Sequence, residues 1–310
     1  MRIYLTNQGV PMNLFEKIVY FLQAEMETPG NFGWFHIMMF CIIAAMTAAF
    51  ILAFKDANDK TFRRVILAVW IIQVVLEIYC QLVFALDSDG VTATWDYAWY
   101  MFPFQFCSSP IYTLPFIAFL KDGDTRDGFI SFTGTFALFG GLAVMVYPND
   151  VFIGMIGINI QTMLHHGLQV VIGVLCMVHQ RRKLNHAFFF KGVPVFVTLV
   201  LSALVLDIVV YEEFLRHGIS DTFNMYFISP YFECTLPVLS AIRPFVSYPV
   251  FLAVYIFGFT AIAAIMYYIQ RGFILKATGV VPHLLPENYS LTTAELKRKH
   301  RSSLLNHHEK

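Results

Sequence analysis

Apolar residues in this chain gather into blocks of about 20, the length one helix needs to cross the hydrocarbon layer of a bilayer. Seven blocks qualify: Trp34–Phe54, Val65–Ala85, Trp99–Leu120, Gly128–Tyr147, Ile158–Met177, Gly192–Tyr211 and Tyr248–Ile269. The polar connections between them are short except Glu212–Ser247, which is long and aromatic and is expected to fold back over or into the bundle. Upstream, Leu14, Ile18, Val19, Phe21 and Leu22 within Met12–Met26 are spaced for an amphipathic helix lying on the membrane surface. The first residues lack the basic start, apolar core and small-residue cleavage site of a signal peptide. The pattern predicts an all-α polytopic membrane bundle of about seven helices. Residues 1–33 form an external segment, 34–270 the bundle and 271–310 a basic tail.

Charge orients this bundle. Alternate connections hold Lys55, Lys60, Arg63, Arg64, Lys121, Arg126, Arg181, Arg182, Lys183 and Lys191, and the tail is basic as well. The other side holds only Arg2, Lys17, Arg216 and Arg243, among acids such as Asp87, Asp89, Asp96, Asp150, Glu212, Glu213, Asp221 and Glu233. The positive-inside rule puts the N-terminus outside, the tail in the cytoplasm and the chain in the cell membrane as a multi-pass protein. Overall the 21 Lys and Arg balance the 21 Asp and Glu, so bulk charge implies no nucleic-acid partner. Cys41, Cys80, Cys107, Cys176 and Cys234 have neither CxxC nor paired spacing. That excludes a disulfide framework or a zinc site as the organising feature, and no metal or cofactor is expected.

Polar side chains inside spans are costly and mark function or interhelical contact. Four spans place theirs at one level. Cys107, Glu77 and the pair His165 and His166 each lie about 8 residues, or roughly 12 Å, below the outer end of their spans. Asp207 lies about 5 residues, or roughly 8 Å, below the end of its own. Gln73, Glu77 and Gln81 share one face of the second span, and Gln161, His165 and Gln169 share one face of the fifth. Such stripes face the bundle interior or water.

The third block, "YMFPFQFCSSPIYTLPF", carries three prolines and cannot be one plain helix. "SSP" reads as a restart, with Ser109 as N-cap and Pro110 in the first helical position. Cys107 would then face free N–H groups and the positive end of a helix dipole, which favour a thiolate. A histidine at the same depth could take its proton, making a Cys–His pair assembled from distant residues. The alternative is a packing cysteine beside a kink, the commoner fate of such a residue. His36 reads as interfacial without chemistry, and His179 as solvated.

"FPFQFCSSPIY", "TMLHHGLQVVIGV" and "NMYFISPYFECTLPVL", in that order, resemble the YwaF-like integral membrane protein family. Its eukaryotic relatives include a transmembrane acyltransferase that builds polyunsaturated ether phospholipids. More distantly it is similar to the androgen-induced-gene lipid hydrolases, which pair threonine with histidine. The resemblance implies a six- or seven-helix bundle with an intramembrane Cys–His pair. The family's Pro-x-(His/Gln)-x-Cys-Ser pattern falls on Pro103, Gln105, Cys107 and Ser108, which makes Cys107 the nucleophile. The histidine is His165 or His166: His166 precedes Gly167 as in the motif, and His165 shares the polar face.

Two function classes follow. In the first, Cys107 and His165 or His166 transfer an acyl group from membrane lipid through a thioester to a lysolipid or to water. Gln105, Ser108, Glu77, Gln81, Gln161, Gln169 and Asp207 would bind or orient the substrate. In the second, Glu77 and Asp207 form the site of a transporter or receptor for a small polar or cationic solute. A structural partner in a larger membrane complex is a third possibility, and the sequence names no protein partner.

Overall fold

The computed structural model describes residues 10–149 and 151–281. Arg2, Asp150 and the tail beyond residue 281, all used in the charge argument, lie outside them. Among the described residues six helices are long and apolar enough to span a bilayer. These are α2 (Trp34–Phe54), α3 (Asp59–Ala85), α5 (Asp124–Val146), α6 (Ile156–His179), α7 (His186–His217) and α8 (Tyr248–Thr278). The protein is a multi-pass integral membrane protein with an all-α bundle.

Most helices run past the apolar blocks because polar residues cap them outside the hydrocarbon. Asn58 and Asn185 accept the N–H groups of Thr61 and Phe188 at the starts of α3 and α7. Gly218 and Gly279 end α7 and α8 in the left-handed region, where glycine carries no Cβ penalty. The surface helix α1 (Leu14–Leu22) is shorter than Met12–Met26, since a capping box between Asn13 and Glu16 fixes its start. Leu14, Phe15, Ile18 and Phe21 are exposed on it, as an interfacial helix requires.

The third block departs from the expected span. Its helix, α4 (Ser109–Phe119), has 11 residues, about 16 Å of rise and too little to span the layer alone. The remaining crossing is made by 3₁₀ turns at Trp99–Met101 and Phe106–Ser108 joined by irregular chain. Two contacts along α3 measure that crossing. Arg63 Nη1 donates to the carbonyl of Leu120, and Gln81 Nε2 to that of Met101. Arg63 and Gln81 are separated by about 27 Å of helix, so residues 101–120 traverse nearly the whole layer.

The two ends of the bundle differ. At one, β1 (Val10–Pro11), β2 (Leu86–Ser88) and β3 (Thr92–Trp95) form an antiparallel sheet in the order β1-β3-β2. The connection 218–247 packs into the bundle at this end, burying Phe223, Met225, Tyr226 and Ile228. At the other end the basic connections meet acids: Arg126 to Asp59 (2.7 Å), Lys183 and Lys191 to Asp127 (3.1 and 3.0 Å), and Arg181 to Asp56. His179 is not solvated there. Its ring stacks on Phe62 at 3.9 Å, and Nε2 donates to the carbonyl of Ala57. A carbonyl left over at a helix-connecting turn draws the imidazole inward.

Candidate functional site

Cys107 sits in the 3₁₀ turn that leads into α4. The N-cap of α4 is Ser108, not Ser109; its side chain makes no capping bond, and Pro110 follows in the first turn. The restart is therefore tighter than expected. Ser108 N donates to Gln105 O and Ser109 N to Phe106 O, and Pro110 has no N–H. Ser109 and Pro110 therefore offer Cys107 no N–H, and the donors that do reach its sulfur are the hydroxyl and N–H of Ser108 and its own N–H.

What the break does expose is the carbonyl of Cys107, upstream of the first helical residue. Gln169 Nε2 donates to it at 2.6 Å and His165 Nε2 at 3.1 Å. A carbonyl only accepts, so His165 carries its proton on Nε2 and keeps a lone pair on Nδ1. Nδ1 is buried and has no partner among the described residues. His166 is held the opposite way. Its Nδ1 donates to the carbonyl of Thr162 at 2.7 Å, leaving the lone pair on Nε2. The two rings lie 5.4 Å apart at 70°.

Close helix packing sets this arrangement. A Cβ on Gly141 would stand 2.6 Å from the carbonyl of His166 and 2.8 Å from Cβ of Gln169. Only glycine lets α5 approach α6 that nearly, which holds Gln169 and His165 toward the third crossing. A Cβ on Gly140 would meet the ring of Phe106 at 2.7 Å, so this position makes room for the residue before Cys107. Phe106 in turn packs against Phe259 (5.3 Å), Tyr226 (5.6 Å) and Phe196 (6.1 Å).

The other expected site residues divide between two further groups. Gln105 gives both ends of its amide to the connection 218–247: Nε2 donates to Asn224 O and Oε1 accepts Tyr226 N, each at 3.0 Å. Asp207 is fully buried on α7 and accepts Met225 N at 2.7 Å, while its second oxygen has no partner among the described residues. Glu77 accepts from Gln81 (2.7 Å), and Gln81 also joins Met101 O and the hydroxyl of Tyr97. Glu77 and Asp207 thus take partners on different elements and share none. Gln161 is buried on the polar face of α6 without joining the bonds to Cys107, and Ser108 is buried next to Cys107 with its hydroxyl within hydrogen-bonding reach of the thiol. Gln73 is fully buried with neither end of its amide paired among the described residues. His36 is structural: it accepts Phe32 N and contacts the carbonyl of Met145 at 2.8 Å.

Two contributors have no advance signal. Trp70 Nε1 donates to the carbonyl of Ile111 at 2.8 Å, which is the acceptor that Pro115 leaves without a helical donor. Tyr226, whose neighbours read only as an aromatic connection, reaches the surroundings of Cys107. Among the described residues no three His, Cys, Asp or Glu side chains gather as a metal site. No curated protein and no solved structure matches the chain. A sequence model of the TMEM164 family matches residues 31–269, more than two thirds of the chain, and the chain belongs to that family.

Proposed function

We propose that the protein is an intramembrane lipid acyl-transfer enzyme, an acyltransferase, transacylase or acyl-ester hydrolase, that carries the acyl group on Cys107 as a thioester. The observation that supports it most is the convergence of His165 and Gln169 on the residue that interrupts the third crossing. A polar arrangement of that kind inside lipid is expensive and belongs to function more often than to packing. His165 is favoured over His166 as the base because it bonds the backbone of Cys107, although no hydrogen bond joins the Cys107 thiol to His165. The resemblance to lipid acyltransferases points the same way.

In this reading the thiol proton passes to the free lone pair on His165 Nδ1 as sulfur adds to an ester carbonyl. The tetrahedral adduct collapses, the C–O bond to the alcohol breaks, and the alcohol leaves with that proton. A lysolipid hydroxyl or water then gives its proton to the same nitrogen and attacks the thioester; the C–S bond breaks and the departing sulfur takes that proton back, which restores the Cys107 thiol. The aromatic side chains around Phe106 suit an acyl chain entering sideways from lipid. Lipid mass spectrometry on cells carrying the wild type or Cys107→Ala tests the reading. Loss of a class of acyl lipid with normal expression is the expected outcome; an unchanged lipid profile and full acyl turnover would sink it.

A further inference from the structure

Two hydroxyls near Cys107 have no role in the steps above. Ser109 Oγ and Tyr226 Oη belong to residues only 1 % exposed, and among the described residues these two hydroxyls have only each other within reach as partners. The phenol interacts with Cys107 and with Ser109, and its ring packs against Phe104 and Phe106. A buried pair of hydroxyls that can bond only each other leaves at least one donor that has given up its bond to water for nothing in return. Ligand oxygen is what such a pair lacks.

The backbone that presents Tyr226 is strained. Tyr226 and Phe227 have φ of 56° and 57°, in the left-handed region that aromatic residues avoid. Strain of this kind persists where the surroundings over-determine it, and it concentrates at functional sites. Here Gln105 holds Tyr226 N and Asn224 O, Asp207 holds Met225 N, Asn224 Oδ1 holds Ser229 N, and the hydroxyl of Tyr248 holds Ile228 O. These bonds fix one turn, and the turn sets the Tyr226 ring against Phe104 and Phe106, the second of which precedes Cys107. At the restart of α4 the donors within reach, the hydroxyl and N–H of Ser108 and the N–H of Cys107, point to the Cys107 sulfur, while Ser109 N is engaged by Phe106 O and Pro110 has no N–H.

We propose that Tyr226 Oη and Ser109 Oγ form the oxyanion site of the Cys107 reaction, donating to the carbonyl oxygen of a carboxylic ester as sulfur adds to its carbon. The inference rests on the Cys107 reading and deepens it. As the S–C bond forms, the C=O π pair moves onto oxygen, where both hydroxyls hydrogen-bond to it without losing their protons. Collapse returns that pair and expels the alcohol. Gln105 and Asp207 are then positioning residues that act through the turn.

The test uses the purified full-length protein with a p-nitrophenyl acyl ester as probe, comparing Tyr226→Phe and Ser109→Ala with Cys107→Ala. Each hydroxyl variant is expected to lose about 100-fold in kcat with KM retained, the usual effect of removing one oxyanion donor. Alkylation of Cys107 by iodoacetamide forms no oxyanion and should keep its wild-type rate. Wild-type kcat in both hydroxyl variants, with Cys107→Ala inactive, would overturn this inference alone. Parallel loss of alkylation and turnover would also overturn it, by assigning the hydroxyls to packing. Full turnover in Cys107→Ala would remove the nucleophile reading beneath it.

Discussion

Asp207 shows how a costly residue in a span can serve a distant turn. Its carboxylate is buried, and one of its oxygens accepts the backbone N–H of Met225. An amide has the same shape and still offers that oxygen, whereas a methyl leaves the N–H unsatisfied. Asp207→Asn should therefore unfold near the wild-type temperature in detergent, and Asp207→Ala should lose about 1–3 kcal/mol, the cost of an orphaned buried donor. Equal losses in both variants would show that the charge itself is needed, as a cation site would require. That His165 and Gln169 come to the level of Cys107 was legible in advance because depth and helical face are simple functions of residue number; that they bond its carbonyl and not its thiol was not. The roles of Gln105 and Asp207 were not, since their partners lie in a turn whose left-handed residues are Tyr and Phe and carry no glycine to announce it.

The third crossing was legible as an interrupted element and misread in its detail. Prolines marked the break, but Ser108 rather than Ser109 caps α4, because the preceding 3₁₀ turn already engages the N–H of Ser109. Pro115 inside α4 leaves the carbonyl of Ile111 without a helical donor, and Trp70 of α3 supplies one. Trp70→Phe keeps the ring in place and deletes the donor. A loss of about 1 kcal/mol in unfolding free energy is expected, the net value of one such hydrogen bond. Unchanged stability would mean that α4 is held by packing alone. Helix ends were the other weak point of the sequence reading: hydrophobicity reports where lipid stops, and capping by Asn58, Asn185, Gly218 and Gly279 lets helices continue beyond it.

At the scale of the molecule, one end of the bundle is tied by ion pairs among Asp59, Arg126, Asp127, Lys183 and Lys191. The other end is covered by the sheet, α1 and the connection 218–247. The positive-inside rule would put the basic end in the cytoplasm and with it the level of Cys107 toward the outer leaflet. The all-α membrane-bundle class follows from hydrophobic length, which gave about seven spans where six helices among the described residues are long enough to cross and the third block is a short helix preceded by 3₁₀ turns. The small sheet does not, since its strands of two to four residues are too short for any alternation to register. The central claim is that Cys107 carries acyl groups. Incubating the full-length protein with phospholipid bearing an isotope-labelled acyl chain, then mapping the protein by mass spectrometry, tests it most directly. The account predicts a labelled, hydroxylamine-sensitive acyl adduct on Cys107 that is absent from Cys107→Ala; acyl turnover with no adduct on Cys107, undiminished in Cys107→Ala, would contradict it.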